Sequence, residues 1–401
     1  MQQNYDVLIV GGGLSGNCLA LALNQHGLRV AVLEANSQAE IAASPAGDRA
    51  LALASGSTVM LEALGIWQGI KEQSTAIKHI HVSDRGHFGK TRLSAEKNQV
   101  DALGYVIVAR TLEQHLDGLV AQAGIQRFFS AQVKNLSQDA LDITASIVSP
   151  EASFTLSASL LVGADGGLSH IRQLLGISQH IKNYAQTALV TTVTTSLPHQ
   201  NVAYERFTAA GPLALLPIGR QQCAVVWARS HGQAQALLDA SDDAFIEELQ
   251  YCFGYRLGEL KLAAPKRAFP LSLIRAGQLV AQRAVIIGNA AHQLHPVAGQ
   301  GFNLGLRDVA QLAEKLITQY KGRQDLGAAD MLRAYAQGRQ KDYQQVIGFT
   351  DQLVRIFSND GLALAAARNI GLTVLDHLPF AKSLLAQQAM GLFEHLNGLK
   401  R

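Results

Sequence analysis

Three glycine-rich segments, each placed directly after a short apolar run, constrain this chain more than any other feature. They are Gly11-Gly12-Gly13-Leu14-Ser15-Gly16, Gly163-Ala164-Asp165-Gly166, and Gly288-Asn289-Ala290-Ala291 continuing to Gly299-Gln300-Gly301. The apolar runs read as buried strands. Each segment therefore marks the end of a parallel strand, where such sheets bind ligands. Three such ends in one chain point to a single large dinucleotide held along its length.

The bulk properties fit an enzyme. A chain of 401 residues has room for two or three domains and a sizeable core. Its net charge of +3 is too small for a nucleic-acid binder, and its basic residues are scattered. Cys18, Cys223 and Cys252 show no metal or redox spacing and read as buried apolar fillers in a reducing compartment. No leader segment is visible, and no uninterrupted apolar stretch reaches the roughly 18 residues of a spanning helix. The expected location is cytoplasmic, at most peripheral at the inner face of the membrane.

Periodicity places the segments on elements. Tyr5–Val10 reads as a strand, Leu14–His26 as a helix stopped by Gly27, and Arg29–Leu33 as the next strand. That is the β-turn-α-β opening of a Rossmann-type domain. Thr111–Ala123 reads as a helix, Phe128–Val148 as a meander, and Leu160–Val162 as a return to the main sheet. Thr187–Trp227, rich in Thr and Val, reads as a mostly antiparallel sheet. From Phe302 onward the pattern is helical, through Ala310–Tyr320, Met331–Phe357 and Leu362–Leu375. The expected class is α/β: a Rossmann-like domain over 1–76, 101–178 and 275–325, interleaved with an antiparallel substrate domain over 77–100 and 179–274. A helical region follows over 326–401.

The first loop has the G-x-G-x-x-G spacing of Gly11, Gly13 and Gly16. These serve, in turn, a tight turn, approach of a pyrophosphate to the backbone, and close helix–strand packing. Glu34, at the end of the second strand, is placed to bind an adenosine ribose and disfavours a ribose phosphate there. The tightly held nucleotide is then FAD or NAD rather than NADP. The second segment reads equally as a ligand loop and as a turn with Ser169 capping a helix. In the third, Gly299-Gln300-Gly301 opens a helix whose N-terminus suits an anionic reduced flavin.

On these motifs the sequence resembles the FAD-dependent aromatic hydroxylases related to para-hydroxybenzoate hydroxylase, over nearly its whole length. The resemblance implies that Gly11, Gly13, Leu14, Ser15, Gly16 and Glu34 hold the ADP half of FAD. It places Arg49 and Arg110 on the flavin side, Asp165 and Gly166 in an Asp-Gly motif tied to the pyrophosphate and NAD(P)H, and Asn289 by the ribitol. Pro296, Gly299, Gly301, Phe302 and Asn303 fall in the loop and turn under the ring. The wider family has Gly-Asp where this chain has Gly288-Asn289. Further segments resemble the ubiquinone-biosynthesis branch of that family: Val82–His87, Glu205-Arg206-Phe207, Gly211–Pro217 and Ala298–Gly305.

That branch implies hydroxylation of a polyprenyl-methoxyphenol ring, with NADPH or NADH as transient reductant, O2 as co-substrate and a flavin C4a-hydroperoxide as oxygen donor. It also implies membership of a multi-enzyme complex at the membrane; oligomerisation stays open. No metal is expected. Candidates for withdrawing the phenol proton are His295, in the loop with Pro296, then His292, Tyr204 and, distantly, His81. Phe207, Leu213, Leu215, Pro217 and Trp227 read as an apolar substrate channel or, equally, as plain sheet core. The apolar C-terminal third, with cations at Arg355, Arg368, Lys382 and Lys400, reads first as ordinary packing against the FAD domain and second as an amphipathic helix resting on a membrane. Competing readings are a paralogue acting at another ring position and a non-catalytic flavoprotein scaffold. Isolated Trp67 and Trp227 argue against a halogenase.

Overall fold

The computed structural model describes residues 4–85, 89–208, 210–357, 386 and 390–391. The helix expected over Leu362–Leu375 lies outside them, as do Arg368, Lys382, Lys400 and the side chain of Arg355.

The core of the first sheet is parallel. Its order is Val280–Ala281, Ala284–Ile286, Ser153–Gly163, Asn4–Val10, Val30–Leu33, Gln126–Phe128, with the hairpin Gln132–Gln138 and Ile143–Val148 branching from Ser153–Gly163. The parallel pairings join Asn4–Val10 to Ser153–Gly163 and to Val30–Leu33. Buried parallel strands are apolar without alternation, and Leu8, Ile9, Leu160, Leu161 and Ile286 are all fully buried. Helices Leu14–Asn24, Ala109–Gln122 and Gln300–Lys321 bring Leu19, Leu112, Leu116 and Leu312 into the same apolar cluster.

A second sheet of nine strands runs in the order His292–Gln293, Arg267–Ala276, Gln179–Thr195, Gln222–Ser230, Gly211–Ile218, Val202–Thr208, His79–Asp84, Lys90–Ser94, with Leu260–Leu262 also on Gln179–Thr195. All its pairings are antiparallel except Val202–Thr208 with His79–Asp84. Residues 292–293 were expected in the Rossmann-like part. They instead pair with Ile274 and Arg275 at this sheet's edge, so the third glycine segment is shared between the two sheets. Helices His231–Asp239 and Asp242–Phe253, capped by Ser230 and Ser241, cover one face. A small sheet of Ala50–Ala54, Gly104–Val108 and Thr75–Ile77 lies against part of the other. No helix among the described residues is long and apolar enough to cross a membrane.

Candidate active site

The three glycine loops converge. Gly11 sits at φ +109, and a Cβ there would meet Ala164 O at 2.4 Å. The first and second loops therefore touch backbone to backbone. A Cβ on Gly16 would lie 1.9 Å from Gly11 O, so only glycine lets the helix pack this closely on its strand. Gly13 differs: nothing lies within 4 Å of its Cβ position. It is the N-cap of helix Leu14–Asn24, which no side chain caps. Unmet N–H groups and the helix dipole thus face open space, an anion site of pyrophosphate character.

Ser15 closes the other side, since a Cβ on Gly288 would meet its Oγ at 2.8 Å. Glu34 accepts hydrogen bonds from Gly12 N (2.9 Å) and Asn36 N (2.9 Å), so it orders the loop as well as standing where a ribose would lie. Its oxygens retain lone pairs for ribose hydroxyls.

Asp165 is engaged within the chain. Its carboxylate accepts from Ser169 Oγ at 2.5 Å and from Ile171 N at 3.0 Å, and Ser169 caps helix His170–Leu174. The cap reading of this segment is what the hydrogen bonds show, and the cap shapes the Asp165-Gly166 loop beside Gly11. Asn289 is exposed beside the buried Gly288.

The turn under the expected ring is held by the Asn303 side chain. Its Oδ1 accepts from Ala54 N (2.9 Å) and Ser57 Oγ (2.7 Å). Its Nδ2 donates to Ala52 O (2.8 Å) and Gly299 O (2.7 Å). The amide is satisfied inside the protein, so Asn303 staples the turn rather than offering its side chain to a cofactor. Gly299 takes the left-handed conformation, φ +61, and Gly301 has open space over its Cβ position. Helix Gln300–Lys321 also begins without a side-chain cap. Phe302 is part-buried against the main core. Arg110 is fastened to the 42–48 segment through Ala42 O, Ser44 O and Asp48. Arg49 lies over the Phe269 ring, 5.5 Å from its centroid.

These features fit a flavin dinucleotide. Two uncapped helix N-termini, the open space over Gly13 and a carboxylate at the second strand end suit an FAD pyrophosphate, ring and ribose.

Sequence alternation left the face of the second sheet undecided, and the structure decides it. Leu213, Leu215 and Trp227 belong to the cluster with Phe245, Leu249 and Phe253 of the covering helices. Pro217 shares their parity on its strand. These four are sheet core, on the side away from the glycine loops. Phe207 has the opposite parity and packs on Val297 of the flavin-side loop. The face beside that loop therefore carries Val82, Ala188, Val190, Glu205, Phe207, Ala214, Val226 and Ala228. Tyr184 joins it from a bulge between Asn183 and Gln186. Apart from Phe207, Tyr184 and Glu205 these residues are Ala and Val, while Leu213, Leu215 and Trp227 point to the helix side.

The expected bases fare as follows. His81 and Tyr204 lie on the helix side, Tyr204 stacked edge-on against Phe253 and His81 against Arg256. His292 is fully buried, with Nε2 2.9 Å from Asp308. Asp308 also accepts from Gly288 N, Arg339 Nε and Tyr343 OH. Burial alone would raise its carboxyl; Arg339, His292 and the Gly288 N–H overcome that and hold it at about 2. His295 is 1% exposed, and burial pushes its imidazole down to about 4. Its Nδ1 accepts from Val297 N at 3.2 Å, which leaves Nε2 carrying the hydrogen. The ring thus orders the loop around Pro296. Among the described residues no cluster suits a metal.

A family model described as an FAD binding domain matches residues 4–350. The ubiquinone hydroxylase UbiL of Rhodospirillum rubrum is 35% identical over 390 residues, covering 96% of this chain and 89% of UbiL. The 3-demethoxyubiquinol 3-hydroxylase of Escherichia coli is 29% identical over 396 residues, covering 97% of this chain and 99% of that enzyme. The crystal structure of p-nitrophenol 4-monooxygenase PnpA from Pseudomonas putida DLL-E4 shares the fold, with a TM-score of 0.80 at 19% identity and 100% of both chains covered. The chain belongs to the FAD binding domain family, as an FAD-dependent aromatic-ring monooxygenase of its ubiquinone-biosynthesis branch.

Proposed function

We propose that this enzyme hydroxylates the ring of a polyprenyl-methoxyphenol, the reaction of a 2-polyprenyl-6-methoxyphenol hydroxylase. The observation that carries the reading is the small-residue face of the second sheet. Ala188, Val190, Ala214, Val226 and Ala228 form an apolar floor beside the loop of Val297 and the Arg49–Phe269 pair. Such a floor suits a flat apolar ring with a hydrocarbon tail and excludes water around it.

Bound FAD, reduced by NADH or NADPH, supplies oxygen transfer from O2. The protein supplies the geometry. Gly13 and the first turn of helix Leu14–Asn24 receive the pyrophosphate, and Glu34 the ribose. Asn303 holds the 299–301 turn open, so that the N-terminus of helix Gln300–Lys321 faces the ring and favours negative charge there. The sheet floor then orients the phenol.

The test is product analysis with a panel of short-tailed ubiquinone-pathway phenols. One oxygen added to the prenyl-methoxyphenol, para to its hydroxyl, is the expected result. Oxygen added only to a differently substituted ring would move the enzyme to another step.

A further inference from the structure

Two acids among the described residues lie on this face, Asp84 and Glu205. Glu205 is paired with Ala214 on one side and Val82 on the other, and Ala214 is paired in turn with Val226. All four side chains therefore share the face beside the flavin-side loop. Phe207, two residues along the strand and about 7 Å away, packs on Val297 of that loop. On the opposite side of Glu205, Ala203 packs into the apolar cluster of the small sheet. Glu205 thus stands between two apolar contacts on this face. Its carboxyl makes no hydrogen bond or ion pair among the described residues, although Arg206 is next in sequence. Arg206 points to the helix side, with His81 and Arg256.

A part-buried, unpartnered carboxyl is costly unless something else uses it. The other titratable groups on this face are engaged. Arg267 pairs with Asp48, Arg49 lies on Phe269, and Tyr184 and Lys182 hold Asp351 of helix Ala329–Phe357. His295 is neutral, and Asp84 is buried and has its own partner. From the small sheet, Ala50, Ile77 and Val106 belong to the apolar cluster beside Ala203.

We propose that Glu205 is the catalytic residue that accepts the hydrogen of the substrate's phenol group. The proposal rests on the reading that a phenol occupies this floor. The ring O–H bond breaks as a carboxylic O–H forms, and the electron pair stays on the ring oxygen and activates the ring. After oxygen transfer the attacked carbon loses its own hydrogen as a proton to solvent. The ring recovers its aromaticity as the proton on Glu205 returns to the ring oxygen. The net change is one ring C–H converted to C–OH, with Glu205 regenerated. Burial pushes the Glu205 carboxyl up to about 7, nearer to a phenol and close to working pH, which suits a general base.

The experiment measures binding of 2-methoxy-6-prenylphenol to the oxidised holoenzyme from pH 5.5 to 8.5, alongside turnover, for wild type, Glu205→Gln and Glu205→Asp. Equal FAD content and a Tm at pH 8 no lower than that of wild type show that the variants fold. Wild type should bind about tenfold more tightly at pH 8 than at pH 6 as Glu205 ionises. Glu205→Gln should bind with no pH dependence and turn over about 100-fold more slowly. Glu205→Asp should restore the pH dependence and part of the rate. A flat wild-type profile, or Glu205→Gln with an unchanged profile and a rate within threefold, would overturn the proposal and leave the substrate reading standing. A wild-type enzyme that binds no phenol at any pH would overturn the substrate reading and this proposal with it.

Discussion

Replacing Asn303 by alanine separates a structural staple from a flavin ligand. The side chain is 2% exposed and makes four hydrogen bonds, linking helix Gln300–Lys321 to Ala52, Ala54, Ser57 and Gly299. Each is worth about 1 kcal/mol net, and the buried partners left behind carry their own desolvation cost. The loss is then about 4 kcal/mol, at the upper end for a single substitution. At about 2 °C per kcal/mol for a large domain, the apo-protein Tm falls by about 8 °C. Asn303→Asp should do worse, because a carboxylate would face the Ala52 and Gly299 carbonyls. The assay is thermal unfolding of FAD-free protein beside a titration with FAD. An apo Tm within about 1 °C of wild type, together with an FAD affinity more than tenfold weaker, would refute the staple and make Asn303 a cofactor ligand.

Other substitutions follow the same geometry. Gly13→Val places its side chain in open space, so apo stability should stay within about 1 kcal/mol while FAD is lost from the purified protein; Gly16→Val should fail to fold, because its Cβ meets Gly11 O at 1.9 Å. Absorbance at the flavin maximum and apo melting curves check both. Trp227→Ala, beneath the helices, should cost about 3–5 kcal/mol of stability without changing the KM for the phenol, whereas Ala214→Leu on the floor should raise that KM with Tm nearly unchanged. Asp308 is held below its ordinary value, so it favours folding above about pH 4, and that contribution is lost as pH falls towards 2. It amounts to about 2 kcal/mol; wild-type and Asp308→Asn melting temperatures should differ most at pH 6, by about half as much at pH 3, and converge only towards pH 2.

The cofactor loops were legible because their glycines answer to backbone constraints that operate locally. Gly11 and Gly299 need left-handed or otherwise strained backbone, and Gly16 a close approach, each visible as spacing after an apolar run. The face of the substrate sheet was not legible from its strands. Alternation divides Leu213 from Ala214 but does not say which side meets the cofactor. The missing signal lay further on, in Ser230 and Ser241 followed by helical spacing, with Asp242 and Asp243 in the second helix's first turn. Two helices that need an apolar partner claim Leu213, Leu215 and Trp227 and leave Ala214 and Val226 to the opposite face. Glu205 lay within a recognised segment, but its lack of a partner among the described residues is a property of the folded sheet. Likewise His292 and Asp308 sit 16 residues apart in the chain, and only the fold turns the histidine into part of a buried ionic network.

The most direct test of the central claim is isotopic. The holoenzyme is turned over under ¹⁸O₂ with NADPH or NADH and a short-tailed methoxyphenol, and the product is weighed. A monooxygenase inserts one labelled atom into the ring, so the product should carry a single ¹⁸O and form in proportion to the reductant consumed. Oxygen from water in the product, or reductant consumed with only labelled peroxide formed for every ring tested, would contradict the account.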